Sequence, residues 1–353
     1  MSICHRLLNP AVFLALASAA SAAEVPVAPS PEAPAYGPEL QGFSYPAPVN
    51  LFRFTSQGES LHMAFMDIQP PKPNGRTIVL LHGKNFCGAT WDASMVTLSQ
   101  AGYRVVVPDQ IGFCKSSKPE HYQFSFQQLA ANTRALLESI GVGQITLLGH
   151  STGGMLAIRY ALMFPDQVEQ LALVNPIGLE DWKAKGVPWH SIDQWYEDEQ
   201  KTTADGIRTY EQATYYAGQW RAEYEPWVQM LAGMYRGPGR KVVAWDSARL
   251  YDMIFNQPVV YELDRLKPPT LLLIGDKDTT AIGKQFAPPV VRSRIGRYPE
   301  LAKAAAQQIP NATLIEFPDL GHAPQMQDPE AFHKALLDGL AKPQTNSQNV
   351  PAQ

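Results

Sequence analysis

The chain has 353 residues, with 29 Lys and Arg against 33 Asp and Glu and a formal net charge of −4 at pH 7. That charge is mild and unclustered, which argues against nucleic acid as a partner. Hydrophobic residues reach 45%, enough for a sizeable core, and the length allows one large domain with an insertion.

The first residues read as an export signal, separate from the fold. Arg6 supplies a positive start, Ala11-Val12-Phe13-Leu14-Ala15-Leu16-Ala17 an apolar run, and Ala20-Ser21-Ala22 a small-residue cleavage site. Residues 1–23 are therefore predicted to be a signal peptide directing the chain to a bacterial periplasm or the medium. The apolar run is too short to span a bilayer comfortably. No cysteine follows it, so neither a lipid anchor nor stable membrane insertion after cleavage is expected. Residues 24–48 hold Pro26, Pro29, Pro31, Pro34 and Pro38 and predict an extended Pro/Ala-rich linker or arm. The polar residues 343–353 predict a disordered tail.

Several apolar runs then follow, each ending in a loop with chemical content. Ile78-Val79-Leu80-Leu81 ends in His82-Gly83, and Tyr103-Arg104-Val105-Val106-Val107 in Pro108-Asp109-Gln110-Ile111-Gly112. Ile145-Thr146-Leu147-Leu148 leads into Gly149-His150-Ser151-Thr152-Gly153-Gly154 and then a helical stretch from Met155. A G-x-S-x-G turn between a strand and a helix is a nucleophile elbow. Glycines are needed two residues either side of the serine because the turn leaves no room for a side chain. The helix N-terminus favours negative charge beside the serine. Two further runs supply partners for it. Thr270-Leu271-Leu272-Leu273-Ile274-Gly275 ends in Asp276-Lys277-Asp278, and Ala312-Thr313-Leu314-Ile315-Glu316-Phe317 leads to Gly321-His322. Both read as buried parallel strands. Serine, acid and histidine would converge beyond the carboxyl ends of such strands.

Together these segments resemble the α/β-hydrolases that carry a helical cap over the site. The resemblance spans roughly residues 43–340 and rests on His82-Gly83, the Pro108–Gly112 loop, the elbow, Gly275–Asp278 and Gly321-His322-Ala323-Pro324. It implies an α/β fold: a mostly parallel eight-stranded sheet flanked by helices, with a helical cap inserted after strand 6. The core would comprise residues 49–176 and 263–342, and the cap residues 177–262. The resemblance implies Ser151 as nucleophile and His322 as general base. It favours Asp278 over Asp276 as the acid, while a few members place the acid after the preceding strand, here the region 175–181. The oxyanion donors would be the backbone N–H groups of Thr152 and Lys84. Lys84 replaces a residue that is often small or apolar, and its side chain is expected to point to solvent or, failing that, to meet an anionic substrate group. Asn85 is the next candidate for a polar contact.

The other histidines carry simpler readings. His82 is expected to hydrogen-bond under the oxyanion loop, and His150 to pack behind the serine. His62, His121, His190 and His333 lack partners at metal-ligand spacing, and no H-E-x-x-H or C-x-x-C occurs, so neither metal nor cofactor is implied. Cys87 and Cys114 form an even pair on two neighbouring active-site loops of an exported chain, which makes them a candidate disulfide. Six of the seven tryptophans, from Trp182 to Trp245, fall in the cap region with many tyrosines, which suggests that some of these rings line an apolar or aromatic pocket.

The reading is a serine hydrolase acting on a small-molecule substrate, first of all an ester of moderate size with an apolar part. Similar proteins using the same residues cleave carbon–carbon bonds, lactones or amides. Dehalogenases and epoxide hydrolases of this fold need an Asp where Ser151 stands. A ligand-binding protein with slow or no turnover is the reading from another class.

Overall fold

The computed structural model describes residue 1 and residues 33–341. Residues 2–23 of the expected signal peptide, the first part of the linker and the whole of the expected tail lie outside the described residues.

Eight strands form one sheet: β1 (Val49–Ser56), β2 (Glu59–Ile68), β3 (Thr77–Leu81), β4 (Arg104–Pro108), β5 (Ile145–His150), β6 (Val168–Val174), β7 (Thr270–Gly275) and β8 (Ala312–Phe317). Their order is β1-β2-β4-β3-β5-β6-β7-β8. The pairings β1–β2 and β2–β4 are antiparallel, and all others are parallel. Every residue of β5 and β7 is buried, as their unbroken apolar sequences require of strands covered on both faces. β8 departs from that expectation. It is the edge strand, and Thr313 and Glu316 are exposed. A strand with one neighbour needs a polar outer side to discourage pairing with other chains.

Helices cover both faces. On one side α1 (Asp92–Gln100) packs Met95 and Leu98 with Phe332 and Leu336 of the C-terminal helix against Leu80, Val105, Leu148 and Leu273. On the other side α2 (Phe126–Ser139) and α3 (Thr152–Met163) bury Leu129, Leu156 and Ile158 in a core continuous with the cap. The cap lies between β6 and β7 and consists of α4 (Ile192–Glu199), α5 (Ala204–Thr214), α6 (Glu225–Arg236) and α7 (Arg240–Asn256). After β7 come α8 (Pro289–Arg292), α9 (Tyr298–Gln308), α10 (Pro324–Gln327) and α11 (Pro329–Ala341), the C-terminal helix. The cap helices start where sequence chemistry allows. Ser191 Oγ accepts the Gln194 N–H at 3.2 Å while Gln194 Oε1 accepts the Ser191 N–H at 2.9 Å, a capping box for α4. Thr203 caps α5 by accepting the Gly206 N–H at 3.1 Å.

Residues 34–48 correct the expectation of a free arm. Leu40 is fully buried, and the Tyr36 N–H donates to Gly233 O of α6 at 2.9 Å. A Cβ at Gly233 would stand 2.3 Å from the Tyr36 ring, so this glycine makes the slot into which Tyr36 fits. The proline-rich composition hides Leu40, which is buried in the core, and Tyr36, Phe43 and Tyr45, which pack against it.

Most cap aromatics pack on one another. Trp195 stacks on Tyr251 at 4.6 Å and Tyr216 on Tyr224 at 3.7 Å, whereas Trp189 is exposed. Among these rings lies Glu211 of α5, fully buried, with neither carboxylate oxygen hydrogen-bonded. Burial pushes its pKa up to about 8, and Glu225 adds to the shift. The folded state thus holds a proton that the unfolded chain releases at lower pH, so stability falls as pH rises through this window. Glu211→Gln is expected to raise the melting temperature clearly at pH 9 and only slightly at pH 5. An equal change at both pH values would show that Glu211 is ionised in the fold.

Candidate active site

The turn between β5 and α3 sets the site. A Cβ at Gly149 would lie 2.2 Å from Gly153 O, and one at Gly153 would lie 2.2 Å from Leu81 O, so neither position admits a side chain. Ser151 sits between them at φ 57° and ψ −119°, in a region that non-glycine residues rarely adopt. The strain is held by the Ser151 N–H donating to Val174 O at 3.1 Å and by Ser151 O accepting the Gly154 N–H at 2.9 Å. Thr152 opens α3, so its N–H has no intrahelical acceptor.

The loop after β3 lies against this turn. A Cβ at Gly83 would meet Ser151 Cβ and His150 Nδ1, each at 3.0 Å. The Phe86 N–H closes the loop on Gly83 O at 3.1 Å, with Lys84 and Asn85 between them. His82 underpins it. Its Nε2 accepts the Gln110 N–H at 3.1 Å, so Nδ1 carries the proton and donates to Gly83 O at 2.9 Å. Burial lowers the His82 pKa, which keeps the ring neutral.

Asp278 and His322, from the loops after β7 and β8, meet in a fully buried pair. His322 Nδ1 donates to Asp278 Oδ2 at 2.6 Å. The Asn175 amide also donates to Oδ2, at 2.9 Å, and the Thr280 N–H to Oδ1, at 2.8 Å. Asp276 stands elsewhere, half-buried, within the fields of Glu316 and Lys303; burial raises its pKa first of all. In the region 175–181, Glu180 is bound to Lys185 at 2.6 Å and Asp181 to Tyr261 at 2.9 Å. The opposite ring nitrogen of His322, Nε2, is buried and has no hydrogen-bond partner. With Nδ1 protonated, Nε2 is a proton acceptor.

Contacts from Asn175, from the end of α5 and from His150 hold this pair, and of these residues the sequence had singled out neither Thr214 nor Tyr215. Asn175, at φ 39° directly after β6, accepts the Gly275 N–H at 2.9 Å and so ties β6 to the Asp278 loop. Its signal is a polar residue immediately ending an apolar strand. The end of cap helix α5 clamps the histidine loop: the His322 N–H donates to Thr214 O and the Ala323 N–H to Tyr215 O, both at 3.2 Å. The Tyr215 ring lies 4.8 Å from the His322 ring. On the other side, His150 donates from Nε2 to His322 O at 2.8 Å, with burial holding its pKa well below the usual range.

Two expectations need correction. The Lys84 side chain turns into the cap, away from solvent. Its ammonium donates to Ser247 Oγ at 2.7 Å, lies 3.7 Å from Glu199 and sits over the Tyr251 ring at 3.6 Å. Tyr235 OH completes the network by donating to Glu199. Burial lowers the Lys84 pKa against the pull of Glu199. Lys84 thus ties the loop after β3 to α4 and α7. Lys84→Met would leave Glu199 buried without its cation and is expected to cost about 3 kcal/mol of stability. Adding Glu199→Gln should recover part of that loss, whereas strictly additive effects in denaturant titrations would mean that the two groups do not interact.

The second correction concerns Cys87 and Cys114, which are buried free thiols. Their sulfurs lie within 4.8 Å of each other and of an Asp109 oxygen. However, Cys87 Sγ faces Met230 Sδ at 3.0 Å and Cys114 Sγ faces Phe86 O at 3.7 Å. A disulfide needs its sulfurs about 2.05 Å apart at a fixed dihedral, and here the two thiols lie side by side unbonded. Burial also pushes the Cys114 thiol pKa up, favouring S–H over thiolate. Asp109 is occupied by Tyr45 OH at 2.6 Å and the N–H groups of Gly88 at 2.7 Å and Lys115 at 3.0 Å, which makes the cluster a structural node.

A cleft of ≈ 490 Å³ opens beside the site, between the cap and the segment after Asp278. Its walls hold Asn85 of the β3 loop, Thr214 of the His322 clamp, and Thr279 and Thr280 beside Asp278. Of the cap aromatics, Tyr210 and Tyr251 reach it.

Comparison with known proteins agrees with this architecture. The profile of the family described as alpha/beta hydrolase fold matches residues 76–329. The solved structure of a probable hydrolytic enzyme from Pseudomonas aeruginosa PAO1 is 65% identical, covers 88% of this chain and 99% of its own, and superposes with a TM-score of 0.87. Lipase 3 of Moraxella sp. strain TA144 is 25% identical over 277 residues, 76% of this chain and 79% of its own. A putative carbamate hydrolase, RutD, of Stutzerimonas stutzeri strain A1501 is 26% identical over 274 residues, 77% of this chain and 94% of its own. With a profile match across most of the chain and a sheet of this order beneath it, the chain belongs to the α/β-hydrolase fold family.

Proposed function

We propose that the protein is an exported serine hydrolase that cleaves carboxylic esters through an acyl-enzyme. The observation that carries this reading is the buried Asp278–His322 pair, bonded at 2.6 Å with Nε2 left as an acceptor, beside the strained Ser151 turn. A serine hydroxyl is a weak nucleophile and needs such a base, held in one tautomer by an acid. His322 Nε2 takes the proton from Ser151 Oγ as the oxygen attacks the ester carbonyl. The carbonyl oxygen becomes an oxyanion, held by the N–H groups of Thr152 and Lys84, an arrangement worth about 3–4 kcal/mol of barrier. Collapse breaks the bond to the alcohol, which leaves with the proton from His322. Water then repeats the sequence on the acyl-enzyme, giving the free acid and restoring Ser151. The lipase name of one relative supports an ester as the first substrate class. Residues 1–23 would carry the chain across the inner membrane.

Intact mass after fluorophosphonate treatment tests the serine. One adduct on the parent and none on Ser151→Ala is expected, and an unmodified, folded parent would count against the reading. Steady turnover of p-nitrophenyl esters after the first equivalent separates an enzyme from a receptor. An N-terminus beginning at or near residue 24 in a periplasmic fraction tests export.

A further inference from the structure

The charged side chains that line the cleft beside Asp278 are all of one sign. Lys284 and Arg292 both line it, and no Asp or Glu does. The Lys284 ammonium donates to Thr279 O at 2.9 Å, and the Arg292 guanidinium to Ala287 O at 3.1 Å and Gln285 O at 3.3 Å. Among the described residues, neither forms an ion pair with a carboxylate. The two nearest acids are committed elsewhere. Glu180 is bound to Lys185 at 2.6 Å and to the Gly296 N–H at 2.8 Å, and Asp278 to His322. The two cations also feel each other. Burial lowers the Lys284 pKa, the fields of Glu180 and Asp278 oppose that shift, and Arg292 adds a smaller lowering. Both cations hydrogen-bond only to neutral carbonyls, so neither has a bonded counter-ion, and a carboxylate in the cleft would supply one. The remaining walls are amphipathic, with Tyr210, Tyr251 and Ile282 beside the hydroxyls of Thr214 and Thr279. The volume suits a small ligand with an apolar middle.

We propose that the preferred substrate is an ester that also carries a free carboxylate, which Lys284 and Arg292 hold at the cleft while the ester carbonyl reaches Ser151. This rests on the serine-hydrolase reading and names its substrate class. A neutral lipid-like ester would leave both cations without an anion.

The test compares matched esters. On the acyl side, p-nitrophenyl hydrogen adipate is set against p-nitrophenyl hexanoate. On the alcohol side, the butyrate ester of 4-hydroxybenzoate is set against phenyl butyrate. Each kcat/KM is corrected for spontaneous hydrolysis. In at least one pair the charged ester is expected to be favoured about tenfold or more, as one charge-assisted hydrogen bond supplies. Lys284→Met should lower that ratio about tenfold, and Arg292→Glu should reverse it. Raising the ionic strength should shrink it. A neutral preference in both pairs, or a ratio untouched by both variants, would overturn the inference while leaving the hydrolase reading intact. If the parent turns over no ester, calorimetry of Ser151→Ala with monomethyl adipate and with methyl hexanoate reads the anion site alone. Tighter binding of the charged ligand that is lost in the Lys284→Met background supports it, and equal binding ends it.

Discussion

Ser151→Ala is expected to lower kcat/KM for an activated ester by about 10⁵- to 10⁶-fold, with His322→Ala close behind and the double variant no worse than either. The reason is the division of labour at the turn. In the proposed mechanism Ser151 supplies the atom that becomes bonded to the substrate, and its hydroxyl attacks only when Nε2 of His322 removes the proton. Either group without the other has nothing to do, so their losses do not add. What survives is the contribution of the Thr152 and Lys84 N–H groups, which still bind a developing oxyanion when water attacks directly. Neither substitution removes packing that the fold depends on. The Ser151 contacts to Val174 and Gly154 run through its backbone. The His322 ring, by contrast, is fully buried, so its variant needs a matched melting curve. A Ser151→Ala protein that kept more than a hundredth of the activity would show that the nucleophile lies elsewhere.

How much of this was readable from residues alone depended on range in the chain. The elbow is a local device. Gly149, Ser151 and Gly153 are close in sequence, and their collisions are with each other and with one adjacent strand. The strand runs were equally local, because an apolar stretch ending in Gly or Asp identifies both the strand and the loop beyond it. Asp278 against Asp276 turns on where each side chain points, and residue spacing alone carries no such direction. The structure joins Asp278 to His322. Asn175, Thr214 and Tyr215 act through contacts about a hundred residues away in sequence, and no local pattern marks them. Lys84 defeated the sequence reading because a lysine in a loop is ordinarily solvated. Here Glu199, Ser247 and Tyr251, all from the cap, supply what water would. The Cys87–Cys114 pair failed for the converse reason. Proximity was foreseen from neighbouring loops, but a disulfide also needs orientation.

Asp278→Asn is expected to lower kcat by about 10⁴-fold, while Asp276→Asn changes it by less than about twofold. The aspartate here accepts on both oxygens: Oδ1 takes the Thr280 N–H, and Oδ2 takes the Asn175 amide and His322 Nδ1. Asparagine offers one acceptor and one donor in the same shape. With its NH₂ toward Thr280, two N–H groups face each other across a buried gap, at a cost of about 1–3 kcal/mol for the unmet donor. With its NH₂ toward His322, the imidazole must accept at Nδ1, which moves the proton to Nε2. The base is then already protonated where it must receive the Ser151 proton. The first orientation keeps the tautomer but loses the negative charge that steadies the imidazolium, and the second, which also sets its NH₂ against the Asn175 amide, blocks proton transfer outright, so activity should fall more than stability. Asp276 takes no part in that exchange. Its carboxylate is half-buried beside Glu316, and removing its charge relieves a repulsion without touching His322. Measuring kcat and the melting temperature of both variants separates these outcomes. Equal losses of activity at the two positions would mean that the acid is not chosen by the 2.6 Å contact to His322.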